Sequence, residues 1–150
     1  MSVVVLKEVS TPEEVEQLRV IRNECRTFMT RNNSYITESE QQNWFKNKSL
    51  DITVFLLYNI LDGVVSFPIG YALIKKEETC YSISGGITEN YRDKGIGERL
   101  FNCILEKIPK NSVVELEVLK SNIRARMVYT KIGFTPISDD DRIITMRLEL

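Results

Sequence analysis

The chain has 150 residues, a hydrophobic fraction of 43%, a charged fraction of 27% and a formal net charge of -1. These values are typical of one globular domain spanning residues 1-150, long enough to bury a sizeable core. The net charge gives no reason to expect a nucleic-acid partner. No apolar run approaches the roughly 20 residues of a membrane span, so we expect no membrane segment.

The residue types limit the possible chemistry. The chain contains no histidine, which excludes serine–histidine and cysteine–histidine nucleophiles, histidine zinc ligands and imidazole bases. Cys25, Cys80 and Cys103 are odd in number and scattered, and residues 1–7 lack the features of a signal peptide. Both observations favour a cytoplasmic protein. Acid–base chemistry here must use carboxylates, tyrosine, lysine, cysteine, a terminus or water.

Hydrophobic periodicity and turn residues predict seven strands and four helices. Pro68 lies within one strand and indicates that pairing starts in earnest only at Gly70. Gly85 and Gly86 lie within another and indicate a bulge or a close approach. The predicted strands cover about 3–9, 52–58, 64–75, 80–87, 113–119, 134–137 and 142–150, and the helices about 11–29, 37–45, 96–108 and 122–132. The order β-α-α-β-β-β-α-β-α-β-β predicts an α/β (α+β) fold: a mixed, mostly antiparallel central sheet flanked by helices.

The stretch from 83 to 101 carries an anion-binding pattern. A strand ends, a loop with Arg92, Gly95 and Gly97 follows, and a helix begins. Such a loop leaves backbone N–H groups unpaired at the positive end of the helix dipole, which suits a phosphate or pyrophosphate. Leu100 replaces the third glycine of a Rossmann fingerprint, and no Gly-Lys-Ser/Thr of a Walker loop follows. On this motif alone, a purely structural glycine turn remains an alternative.

A second constellation follows the next strand of the chain. Asn122, Ala125 and Tyr129 are spaced so that they fall near one face of a helix, which Gly133 ends. Asn122 and Tyr129 can therefore address the same ligand.

Together the two motifs resemble the GNAT superfamily of N-acetyltransferases, over nearly the whole chain. Residues 91–97 are similar to the family's Arg/Gln-x-x-Gly-x-Gly/Ala loop, and residues 116–134 to its second motif. The resemblance implies direct transfer of an acetyl group from acetyl-CoA to a primary amine, without a metal. It also implies that the loop backbone holds the CoA pyrophosphate and that the preceding strand pairs with the pantetheine arm. The CoA-binding residues it implies are Ile87, Glu89, Arg92, Asp93, Lys94, Gly95, Ile96, Gly97 and Asn122.

The resemblance also implies catalytic roles. Tyr129 matches the tyrosine that protonates the departing thiolate, and a phenol with a reference pKa of about 10 is neutral at physiological pH. A half-buried tyrosine that only anchors a helix to a strand is the alternative. Glu117 lies on the strand that borders the acyl site and is the candidate general base, with Glu115, Glu89 and water as competitors. Direct transfer requires no nucleophilic role for Cys103.

The acceptor pocket is expected from the two N-terminal helices and the final hairpin, with Arg22, Asn23, Tyr35 and Trp44 as lining residues. This region is similar to family members that acetylate amino sugars linked to nucleotides, although Gln41 stands where those often carry histidine. A small-molecule amine such as an amino sugar is therefore favoured. The alternatives are a peptide α-amine acetyltransferase and an inactive acyl-CoA-binding module, and we expect a monomer or homodimer.

Overall fold

The computed structural model describes residues 2–150, which form one seven-stranded sheet with four α-helices. The strands are β1 (Ser2–Glu8), β2 (Ile52–Leu61), β3 (Val64–Lys76), β4 (Tyr81–Ile87), β5 (Val113–Leu119), β6 (Thr135–Asp139) and β7 (Ile143–Glu149). The helices are α1 (Pro12–Glu24), α2 (Glu38–Asn47), α3 (Ile96–Glu106) and α4 (Ile123–Ile132). Short 3-10 turns cover Arg26–Phe28 and Glu89–Tyr91. The predicted order and the α/β class of the fold are confirmed.

The sheet divides at one parallel pair of strands. Its spatial order is β1-β2-β3-β4-β5-β7-β6, and every neighbouring pair except β4 and β5 is antiparallel. β4 and β5 pair only at Tyr81 with Val114 and at Ser82 with Glu115. Beyond these residues the two strands continue without pairing, so their backbones border a gap in the sheet.

Two apolar clusters cover the two faces of the sheet. Leu100 and Ile104 of α3 pack with Tyr129 of α4 and with Leu57 and Leu116 of the sheet. On the opposite face, α1 packs through Leu18, Ile21 and Cys25 against Leu56 and Tyr71. Alternation along β5 places Val114, Leu116 and Val118 in the first cluster. The intervening Glu115 and Glu117 therefore point to the α1 side.

The helix starts follow the capping rules. Thr11 with Glu14, and Thr37 with Glu40, form complete capping boxes at α1 and α2. The Glu14 carboxylate bonds to Lys7 and accepts backbone N–H groups of Ser10 (3.0 Å) and Thr11 (3.1 Å). The bond from Lys7, helped by these N–H groups, lowers the pKa of Glu14 to about 2. α1 ends at Glu24, before the predicted end.

Two local predictions about the strands need correction. β3 begins at Val64 and its pairing continues across Pro68, with register shifts beside Tyr58 that accommodate the missing N–H group. Gly85 and Gly86 form no bulge, because their register with β3 is regular. They mark a close approach instead: a Cβ on Gly86 would lie 2.8 Å from Cys25 Sγ. In residues 2–150 no helix has the length and apolar character to cross a membrane.

Candidate active site

The gap between β4 and β5 is the centre of the candidate site. The residues of β4 after Ser82 and those of β5 after Glu115 have no partner across it. Backbone N–H and C=O groups along these edges are available to an extended ligand, which can pair with them as an added strand does. The loop that follows β4 and the helix that follows β5 both begin at the same end of the gap.

The glycine loop provides an anion site at the start of α3. Gly95 caps the helix with φ +74°, a left-handed conformation that favours glycine, and no side chain satisfies the first-turn N–H groups. Ile96 is buried and anchors the turn. A Cβ on Gly95 or Gly97 would meet no atom within 4 Å. Within residues 2–150 no atom fills the space beside these two glycines, so an anion can approach the backbone closely.

The charged side chains of this loop mostly bind the protein itself. Arg92 Nε donates to the Ile87 carbonyl oxygen (2.9 Å) and its Nη2 donates to that of Glu24 (3.3 Å). Arg92 therefore braces the end of α1 against the end of β4. Asp93 forms an exposed ion pair with Arg124 (2.8 Å).

The remaining predicted CoA-binding residues differ in which side-chain groups stay available to a ligand. Lys94 Nζ lies 5.5 Å from the Tyr91 ring centroid, and Glu89 is exposed. Asn122 caps α4, because its Oδ1 accepts the backbone N–H of Ala125 (3.3 Å). Its amide nitrogen makes no hydrogen bond within residues 2–150, so it remains available as a donor.

Tyr129 lies on the α3 side of the sheet, in an aromatic setting. Its ring centroid is 4.9 Å from that of Phe101 and 6.1 Å from that of Phe134, both edge to face. Burial, with a smaller effect of Tyr71, raises the pKa of Tyr129 above its ordinary value. The hydroxyl has no hydrogen-bond partner in the described chain. The atoms that lack a partner and are also closed to solvent do not include this hydroxyl. It therefore keeps accessible surface, as a proton donor to a ligand must.

Glu117 is held by an arginine that the sequence reasoning missed. Arg31 Nε donates to Glu117 Oε1 (2.9 Å), Arg31 Nη2 bonds to the other oxygen, and Thr30 Oγ1 lies 3.4 Å from Oε1. The neighbouring Glu115 pairs with Arg147. Both oxygens of Glu117 are thus occupied by a cation from the segment between α1 and α2.

The four predicted acceptor residues separate into two pairs. Asn23 fixes the backbone of Ile36 by two hydrogen bonds of 2.9 and 2.8 Å. The exposed Tyr35 accepts from Arg19 Nη1 (3.0 Å). These two residues shape the segment before α2. Arg22 and Trp44 do meet: Arg22 Cζ lies 5.6 Å from the Trp44 ring centroid.

Tyr71 is a second residue that the sequence reasoning missed. It is 6% exposed, lies opposite Gly86 in the β3–β4 register, and sits next to the Arg22 guanidinium. Burial raises the pKa of Tyr71 to about 12. A tyrosine in a mostly apolar strand gives no sequence signal of its surroundings. The glycine that faces it is the one hint, since a missing side chain leaves space.

An open groove extends from the Arg31 side of Glu117. It has a volume of about 520 Å³ and lies between the α1–α2 segment and the β6–β7 turn. Its lining residues are Thr30, Arg31, Asp140, Asp141, Arg142 and Ile143. Within residues 2–150 no group of three or more histidine, cysteine or acidic side chains is placed to hold a metal ion.

Solved structures share this architecture along nearly their whole length. A domain from Methanocaldococcus jannaschii matches at 14% identity and a TM-score of 0.88, with 100% of both chains covered. The Campylobacter jejuni N-acetyltransferase PseH, solved with acetyl coenzyme A, matches at 21% identity and a TM-score of 0.70 over 98% of this chain and 99% of that one. Spermidine N-acetyltransferase from Vibrio cholerae, solved with CoA and spermine, matches at 15% identity and a TM-score of 0.79. The match covers 97% of this chain and 95% of that one.

The family assignment comes from the sequence profile. No curated protein sequence matches the chain significantly. The profile of the Acetyltransferase (GNAT) family matches residues 15–134, which include most of α1, the glycine loop, the gap and Tyr129. The chain belongs to the GNAT family of acetyltransferases.

Proposed function

We propose that this protein is an acetyl-CoA-dependent N-acetyltransferase that transfers the acetyl group directly to a primary amine. The observation that carries the proposal is the gap between β4 and β5, with an uncapped glycine helix start at its end. Tyr129 lies on α4, the helix that follows β5. Membership of the GNAT family and the CoA complexes of the C. jejuni and V. cholerae proteins support the same cosubstrate.

The elements around the gap suit the parts of acetyl-CoA. The N–H groups of residues 95–97 would bind the pyrophosphate, and the open space at Gly97 permits the approach. The unpaired edge of β4 up to Ile87 would bind the pantetheine arm, with the Asn122 amide as a further donor. Lys94 would add charge near the phosphates. Arg92 would act indirectly, because it fixes the position of the Ile87 carbonyl.

Two proton transfers accompany amide formation. Tyr129 would donate its proton to the departing sulfur, and its raised pKa keeps the phenol protonated at physiological pH. Glu117 would accept a proton from the acceptor ammonium, directly or through water. Its carboxylate is occupied by Arg31, but that arginine is exposed and such pairs contribute little to stability. An acceptor ammonium can therefore replace Arg31 as the partner of Glu117.

A small acceptor, such as an amino sugar, fits the surroundings of Glu117 best. The adjoining groove of about 520 Å³ has the size of a small-molecule site. Asp140 and Asp141 in its lining would attract a cationic amine. The V. cholerae spermidine N-acetyltransferase, which shares the fold, was solved with the small polyamine spermine, and this supports a small acceptor.

A steady-state assay with acetyl-CoA tests the proposal. The acceptor panel should contain amino sugars, polyamines and peptides with a free α-amine. We expect turnover with a small amine. In Tyr129→Phe, kcat should fall by about 100-fold or more while CoA affinity is retained. Tyr58→Phe, in β2, is the matched control and should keep wild-type kcat.

The other outcomes separate the alternatives. Turnover with peptides alone would identify a peptide α-amine acetyltransferase. CoA binding without turnover on any amine would indicate an acyl-CoA-binding module and would contradict the proposed enzyme.

A further inference from the structure

Arg22 is a partly buried cation without a carboxylate partner. Its Nη1 donates to Gln41 Oε1 (3.2 Å), and its guanidinium faces the Trp44 ring. Among the ion pairs of residues 2–150, none includes Arg22, whereas Arg19 and Arg31 each hold a glutamate. A guanidinium removed from water is stable when an anion neutralises it. The position of Arg22 therefore suits a negatively charged ligand.

Two further donors at the same place lack acceptors. Arg22 Nε and Gln41 Nε2 are solvent-inaccessible and have no hydrogen-bond partner. Gln41 is only 1% exposed, so its amide is fixed inside the protein between α1 and α2. Buried donors are almost always satisfied, because an unsatisfied one costs roughly 1–3 kcal/mol. Both groups can only donate, so the partner that would satisfy them is an acceptor atom such as a ligand oxygen.

Tyr71 connects this cluster to the gap in the sheet. Its hydroxyl lies beside the Arg22 guanidinium but has no hydrogen bond of normal geometry. The unpaired atoms that are closed to solvent do not include this hydroxyl, so it keeps accessible surface. Its ring lies 3.0 Å from the position that a Cβ on Gly86 would take. Tyr71 and Glu117 lie on the α1 side of the sheet, with β4 and the gap between them.

We propose that Arg22, Gln41 and Tyr71 form a subsite for an anionic group of the acceptor, a carboxylate or a phosphoryl group. The inference rests on the proposed acetyltransferase function and defines its substrate class: an amine that carries an anion. The guanidinium neutralises the anion, while the Gln41 amide and the neutral Tyr71 hydroxyl donate to its oxygens. The amine of such an acceptor then points from the subsite towards the gap and Glu117.

Trp44 gives a direct readout of the subsite, since it is the single tryptophan of the chain and lies against Arg22. The full-length protein, saturated with CoA to occupy the glycine loop, is titrated with inorganic phosphate and separately with acetate, at constant ionic strength. We expect a saturable change in tryptophan fluorescence with at least one anion. Arg22→Gln should weaken that binding by about tenfold or more, because the charge is removed.

Two other variants keep the test decisive if Arg22→Gln folds poorly. Tyr71→Phe removes only a hydroxyl and should weaken the binding of the anion by about three- to tenfold. Arg99→Gln is the control, because Arg99 lies on α3 and bonds to Ser2. It should leave the response unchanged. An unresponsive wild type, or equal responses in wild type, Arg22→Gln and Tyr71→Phe, would overturn the subsite.

Matched acceptors then identify the anion. Glucosamine 6-phosphate is compared with glucosamine, and L-alanine with L-alaninamide, by kcat/KM with acetyl-CoA. We expect the charged member of one pair to be preferred by about tenfold or more, and Arg22→Gln to remove the preference through KM. Equal kcat/KM within both pairs would contradict the inference even if both neutral amines react. A tryptophan response without any turnover would retain the subsite and contradict the proposed function instead.

Discussion

Arg31 and Glu117 are joined across the site by two hydrogen bonds, one of them 2.9 Å from Arg31 Nε to Glu117 Oε1. The carboxylate raises the pKa of the Arg31 guanidinium, which stays charged. Glu117 lies in the part of β5 that no longer pairs with β4. The pair therefore connects the segment between the first two helices to the edge of the gap.

The ion pair predicts opposite effects for its two members. Glu117→Gln should lower kcat by about 100-fold or more with CoA affinity unchanged, because the base is lost. Arg31→Gln should raise kcat/KM for the acceptor, because it removes the cation that competes with the acceptor ammonium for Glu117. Steady-state kinetics of both variants provide the check. Similar losses in both would mean that the pair only ties the segment to β5.

Burial of Tyr129 predicts the alkaline side of the pH profile. Its pKa is raised above the ordinary value of 10.0, so the neutral phenol that donates the proton persists to higher pH than in an exposed tyrosine. We expect kcat/KM to show no loss between about pH 8 and pH 10 from deprotonation of Tyr129. The check is the profile of the wild type. A decline in this window that Tyr129→Phe lacks would contradict the raised pKa of Tyr129.

An added methyl group should have different consequences at Gly97 and at Gly86, because the space around the two glycines differs. Gly97→Ala should leave the free energy of unfolding unchanged or slightly higher, because a Cβ there meets nothing within 4 Å. It should weaken CoA binding by about tenfold, because the methyl group would occupy the approach to the backbone. Calorimetric titration with CoA and urea unfolding measure the two effects. Unaltered CoA affinity would remove the pyrophosphate assignment.

Gly86→Ala should act on folding instead. The new Cβ would lie 2.8 Å from Cys25 Sγ and 3.0 Å from Tyr71 Cε1. Overpacking of this kind lowers the free energy of unfolding by about 1–3 kcal/mol. Adding Cys25→Ala removes the closest atom and should restore part of the loss in urea unfolding. A double variant no more stable than Gly86→Ala would show that Tyr71 makes the decisive contact.

Glu14 predicts a stability change at acid pH. Its pKa is lowered in the folded chain from 4.5 to about 2, so its contribution is complete above the unfolded value and is lost as pH falls towards 2. Glu14→Gln should reduce the free energy of unfolding at pH 7 by roughly 1–3 kcal/mol, since charge-assisted bonds are lost. Urea unfolding at pH 7 and pH 3 should show a smaller difference at the lower pH. An equal difference at both would contradict the linkage.

Much of the fold was predictable because its signals are local. The capping boxes of Thr11 with Glu14 and of Thr37 with Glu40 concern residues three apart, and the helix start at Gly95 depends on one turn. Strand alternation has a period of two, so β5 could be assigned from Val114, Leu116 and Val118. The prediction that pairing in β3 starts only at Gly70 was wrong, because pairing with β2 tolerates a register shift that local rules do not reveal.

The sequence by itself determined the order of the elements, the glycine loop, the position of Tyr129 on its helix and the resemblance to the GNAT family. Only the tertiary structure decided that Arg92 braces Ile87 and Glu24, that Arg31 occupies Glu117, and that Arg22 meets Gln41 and Tyr71. The physical reason is distance along the chain. Capping and periodicity act within one or two turns, whereas these side chains are brought together from separate elements by the packing of helices on the sheet.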